Sequence, residues 1–86
     1  MSVESVFRFR VVATEHGGLV YMPPVFRDRA SELADALDTT GIVLSNYWTE
    51  DSDGVYVFFT VEMDTVEPEV VEVRVRQVLR EVLGGG

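Results

Sequence analysis

His16 is the only histidine in the chain, and there is no cysteine. A nucleophilic relay needs an imidazole held by a carboxylate and set beside a hydroxyl or thiol. Glu15 adjoins His16, but the pair stands in Glu15-His16-Gly17-Gly18, which has the composition of a turn. His16 therefore reads as a solvated turn residue. One histidine without thiolates also leaves a tetrahedral zinc site short of ligands. The run Thr49-Glu50-Asp51-Ser52-Asp53-Gly54 resembles half of a calcium loop. In the EF-hand register Asp51, Asp53 and Gly54 take the third, fifth and sixth places, but the twelfth falls on Thr60, where a bidentate glutamate is required. The run reads as a hairpin turn. Gly17-Gly18 and Gly84-Gly85-Gly86 match no phosphate-binding loop, and no carboxylate pair lies on an apolar segment that would raise its pKa for acid–base work. The expectation is a protein that is not an enzyme, with no metal site and no cofactor.

Charge points to partners instead. The 86 residues carry 15 acids and seven bases, a formal charge of −8, which opposes non-specific affinity for nucleic acid or anionic lipid. Every base is an arginine: Arg8, Arg10, Arg27, Arg29, Arg74, Arg76 and Arg80. Between Ala30 and Val73 the chain has acids and no base at all. Such a surface is solubilising on a protein from a high-GC or salt-adapted source. The alternative is an acidic inhibitor or nucleic-acid mimic, similar in character to small anti-defence proteins of phages, which occupies a basic groove on another protein. Glu50, Asp51, Asp53, Glu62, Asp64, Glu67 and Glu69 would then carry the binding.

These residues must be positioned by a small number of elements. Val6 to Ala13 alternates Phe7, Phe9, Val11 and Ala13 with Arg8, Arg10 and Val12, a half-buried strand. After the glycine turn, Leu19 to Met22 returns as a second strand, stopped by Pro23-Pro24. Phe26, Ala30, Leu33, Ala34 and Leu37 recur at helical spacing, and Gly41 closes that helix. Ile42 to Thr49 and Val55 to Met63 form a second hairpin around Asp53-Gly54. The last segment has a strand period in Val71, Val73 and Val75 and a helical stripe in Val71, Val75, Val78, Leu79 and Val82. Pro68 in a first turn, Glu69 and Glu72 near its positive end and Arg76 and Arg80 near its negative end predict a helix from Pro68 to Leu83.

The fold class is thus α+β, a two-layer sandwich in the order ββαββα. A four-stranded, mainly antiparallel sheet carries two helices on one face. Residues 1–83 are expected to form one domain and 84–86 a glycine tail. A faint repeat relates the halves: Thr14-Glu15, Gly18 and Tyr21 recur as Thr49-Glu50, Gly54 and Tyr56, at an offset of 35 to 36 residues. Ubiquitin-like modifiers also begin with a hairpin and a helix and end in diglycine, and the first forty residues resemble them in pattern. The resemblance breaks at the C-terminus, where these glycines follow a helix and not a strand.

Strand alternation also predicts the functional surface. Ile42, Leu44, Trp48, Val55, Val57, Phe59, Val61 and Met63 form the face expected beneath the helices. The opposite face should be polar if it meets water, yet it carries Val43, Tyr47, Tyr56 and Phe58, diluted only by Ser45, Thr60 and Glu62, with Arg8, Arg10 and Val12 on the first strand. Aromatics beside arginine on a sheet can stack bases, as in an RNA recognition motif, but the signature of that family is absent and the charge opposes it. Tyrosine, phenylalanine and arginine are also the residues of interface cores. The expectation is a small interaction or assembly module that self-associates, or binds another protein, through Val43, Tyr47, Tyr56, Phe58, Arg8 and Arg10. Its size suits a viral or accessory protein. No apolar run approaches a membrane span and no signal peptide is visible, so a cytoplasmic location is expected.

Overall fold

The computed structural model describes residues 9–61 and 67–84. The strands are β1 (Arg10–Ala13), β2 (Gly17–Met22), β3 (Val43–Asp51) and β4 (Gly54–Val61). A 3-10 segment (Pro24–Arg29) leads into α1 (Ala30–Asp38), and α2 (Pro68–Leu79) continues into one wider turn (Arg80–Gly84). The order is ββαββα, with an antiparallel sheet β1-β2-β4-β3. Arg8, Glu62, Asp64, the predicted strand start at Val6, the strand end at Met63 and the last two glycines lie outside the described residues.

Each hairpin closes on a local device. Thr14 Oγ1 accepts the amides of His16 and Gly17, both at 3.2 Å, which shapes the first turn. In the second, Asp51 Oδ1 accepts the amides of Asp53 (2.8 Å) and Gly54 (3.2 Å), so the turn is only Ser52-Asp53 and both strands run further toward it than the sequence suggests. The two hairpins join along β2 and β4, with Tyr21 opposite Tyr56. Those tyrosines stand 35 residues apart, the offset of the faint repeat.

Val20, Met22, Val55, Val57, Phe59 and Val61 form the sheet side of the core. Leu33 and Leu37 come down from α1, which lies on β3; Val71, Val75, Val78 and Leu79 come from α2, which lies on β1. The valine-rich last segment is helical because this stripe buries four side chains against the sheet, whereas its strand alternation would bury only three valines. Pro68 opens α2, and Glu72 pairs with Arg76 at 3.4 Å one turn later. The first helix is shorter than its apolar stripe. Phe26 leaves helical geometry (φ −99°, ψ 16°) and its ring packs tilted against Phe9 at 5.3 Å, so the α-helix starts only at Ala30. Its end follows the expectation: Gly41, at φ +82°, takes the left-handed conformation that glycine adopts without strain.

One strand departs from simple alternation. Val43 pairs with Val61, but Ser45 already pairs with Thr60, so Leu44 is the extra residue of a β-bulge. The bulge reverses the two assignments beside it. Val43 is 8% exposed and belongs to the core, so it is not part of the open face. Leu44, assigned to the core by alternation, is 64% exposed. From Ser45 onward the expected faces return, because the bulge absorbs one residue. We expect Val43→Ser to destabilise the fold by about 2 kcal/mol, through a lost buried side chain and a buried hydroxyl. Leu44→Ser should cost less than about 0.5 kcal/mol. Thermal unfolding followed by circular dichroism separates the two.

Candidate functional site

The sheet face away from the helices is built of cross-strand rows. In one, Arg10 pairs with Tyr21, Tyr21 with Tyr56, and Tyr56 with Thr49. In the next, Val12 pairs with Leu19, Leu19 with Phe58, and Phe58 with Tyr47. A third row runs from Gly17 through Thr60 to Ser45, whose hydroxyls meet at 2.8 Å. Of the residues predicted for this surface, Tyr47, Tyr56, Phe58 and Arg10 are brought together, with Val12 beside them. Val43 is turned to the other side, and Arg8 falls outside the described residues. Leu19 and Tyr21 complete the face. Alternation along β2 together with the 35-residue repeat could have found both, since Tyr21 is the counterpart of Tyr56.

Ring contacts order the rows. Tyr47 stacks on Phe58 with centroids 5.1 Å apart and planes 19° from parallel, and Tyr21 tilts against Tyr56 at 5.3 Å. Tyr47 remains 61% exposed and Val12 45%. Between the β1 and β4 sides lies a depression of about 380 Å³, lined by Arg10, Val12, Leu19, Tyr21 and Tyr56. The face therefore presents aliphatic and aromatic carbon with phenol and hydroxyl tips, and no carboxylate in any of its three rows.

Acids gather at one end of it. Tyr21 donates its hydroxyl to the Asp53 carbonyl at 2.6 Å, and Arg27 donates to the Asp51 carbonyl at 2.7 Å, so the β3–β4 turn is tied from both sides of the sheet. Burial raises the Tyr56 phenol above its ordinary value of 10.0, and the carboxylates of Asp51 and Asp53 and then Tyr21 push it further. The remaining predicted acids stand elsewhere. Glu50 pairs with Val55 on the helix side, while Glu67 and Glu69 lie at the start of α2. Glu62 and Asp64 fall outside the described residues. The described acids named for a nucleic-acid mimic are thus distributed over three places.

His16 is exposed, with Glu15 as its near neighbour at 3.5 Å. Among the described residues no group of three or more histidines, cysteines and acids is placed to hold a metal ion. No described helix is long and apolar enough to cross a membrane.

A raised Tyr56 pKa gives a signed pH dependence. The neutral phenol is favoured by folding, so its contribution is fully present below pH 10, the unfolded value, and is lost as pH rises through the folded value. We expect unfolding free energy to fall above pH 10 and Tyr56→Phe to flatten that fall. Asp53→Asn should lower the tyrosinate midpoint followed by ultraviolet absorbance.

Comparison of the chain with protein-family models, curated proteins and solved structures finds no match. The chemistry and geometry of the open face carry the functional reading.

Proposed function

We propose that the protein is a non-catalytic assembly module that self-associates by packing the open faces of two sheets together. The observation that carries this reading is the continuous apolar and aromatic surface of Val12, Leu19, Tyr21, Tyr56, Phe58 and Tyr47 on a face with no second layer among the described residues. A face of this composition, with no carboxylate in its described rows and rich in tyrosine, has the make-up of an interface core. Four strands about 4.8 Å apart and about six residues long offer a face on the order of 400 Å² in projection. With side-chain relief counted on both copies, pairing removes roughly 1,000 Å² from water, the lower end of a specific interface.

The helices would stay outside, giving four layers with two sheets about 10 Å apart at the centre. The acidic-mimic alternative has less support, because the Asp51 carboxylate is already engaged by its own turn and the other described acids named for it do not share one surface.

Light scattering after size exclusion tests the proposal. A dimer is expected at both 0.1 M and about 1 M salt, since salt screens the repulsion between two acidic copies and leaves apolar burial intact. Phe58→Glu sets a charge at the centre of the face and should give a folded monomer by circular dichroism. Glu69→Arg, on α2, should leave the mass unchanged. A wild-type monomer at both salt concentrations would overturn the proposal.

A further inference from the structure

We infer that the two copies pair about a two-fold axis running along the β2–β4 seam, so that Arg10 of each copy meets the acidic β3–β4 turn of the other. This rests on the self-association proposed above and adds its orientation. The first observation is the placement of charge. Arg10 stands on the β1 edge in the row of Tyr21 and Tyr56, and its guanidinium has no ion pair or hydrogen bond among the described residues. Asp53 stands at the same end of the sheet beside the opposite edge, close enough for its carbonyl to take the Tyr21 hydroxyl. β1 and β3 are three strand spacings apart, about 14 Å, and no ion pair joins Arg10 to Asp53 among the described residues.

Face-to-face pairing has two simple in-plane axes. Rotation about the axis along the strands exchanges the sheet edges and keeps the ends. It lays β1 of one copy over β3 of the other, setting Arg10 above Thr49 with the Asp51–Asp53 turn about 7 Å further along, within reach of a long arginine. Rotation about the axis across the strands exchanges the ends instead. It sets Arg10 over its own strand in the other copy, near Glu15.

The apolar rows choose between them. With the axis along the seam, the Tyr21–Tyr56 row meets itself, Leu19 lies over Phe58, and Val12 lies over Tyr47, so apolar surface covers apolar surface. With the other axis through the Leu19–Phe58 row, the tyrosine row covers Gly17 and Thr60, and set between the two apolar rows that axis leaves Arg10 over Val12 on the β1 edge, away from the acidic β3–β4 turn. With the seam axis opposite charges meet twice, once at each edge.

Charge exchange tests the orientation. Dimer dissociation constants are measured by sedimentation equilibrium at 0.1 M salt for Arg10→Glu, Asp53→Arg and the double variant. Each single reversal replaces attraction by repulsion at two symmetric places and should weaken pairing about tenfold, with the double variant returning to within about threefold of wild type. The milder Arg10→Gln and Asp53→Asn, each expected to weaken pairing about threefold, read the same contact without introducing a reversed charge. Rescue of Arg10→Glu by Glu15→Arg but not by Asp53→Arg would overturn the inference in favour of the crossed axis. Absence of rescue by either would overturn it while leaving self-association standing. A wild-type chain that stays monomeric at about 100 μM, far above the dissociation constants of specific pairs, would instead remove the underlying reading.

Discussion

The register between β2 and β4 is the constraint on which the rest of the structure depends. These two strands are the centre of the sheet and, among the described residues, the one strand pairing between the two hairpins. Pairing Tyr21 with Tyr56 sends Val20, Met22, Val55 and Val57 beneath the helices and Leu19, Tyr21, Tyr56 and Phe58 to the open side. A slip by one residue on either strand would exchange its two sets, placing phenol hydroxyls in the core and valines in water. Gly54 helps to hold the register. A Cβ there would fall 2.6 Å from the Tyr21 ring and against the Met22 carbonyl, so the second hairpin fits beside β2 only because this position is bare.

Period and punctuation made most of this architecture legible. Alternation in β1 and β4, the helical stripe of α1, the proline before α2 and the Asp-Gly pair each point to one local solution, and those solutions agree with one another. The two helices differ in how far the stripe decides. In α1 the apolar spacing has no competitor, whereas α2 is made largely of β-branched valines that favour a strand. Its assignment follows from burial: only the helix sets Val71, Val75, Val78 and Leu79 on one side.

What the residue pattern did not disclose is the bulge at Leu44. Strict alternation is a statement about paired residues, and an unpaired one shifts the parity of everything on one side of it. Val43 thereby enters the core and Leu44 leaves it, while Tyr47 keeps its expected face. No glycine or proline marks the spot, because the extra residue sits at the start of an edge strand where its backbone faces solvent. The open face was otherwise readable except for β2, whose Gly-Gly start and short apolar run hide the alternation that places Leu19 and Tyr21.

Net charge alone describes this protein poorly, since a total of −8 says nothing of where the acids are not. The described acids lie at the two hairpin turns, on the helix side of β3 and along the helical segments, whereas the three rows of the open face hold none. Two such molecules repel one another in most approaches, and with a screening length of about 8 Å that repulsion acts mainly where acidic surfaces come close. Under the self-association reading, the face rimmed by Arg10 is the approach that charge opposes least. Hydrophobic burial supplies the attraction but has no direction of its own. Orientation would then come from the acids elsewhere, which penalise every other contact, so the charge excess acts as a selector of one geometry as well as a solubilising surface.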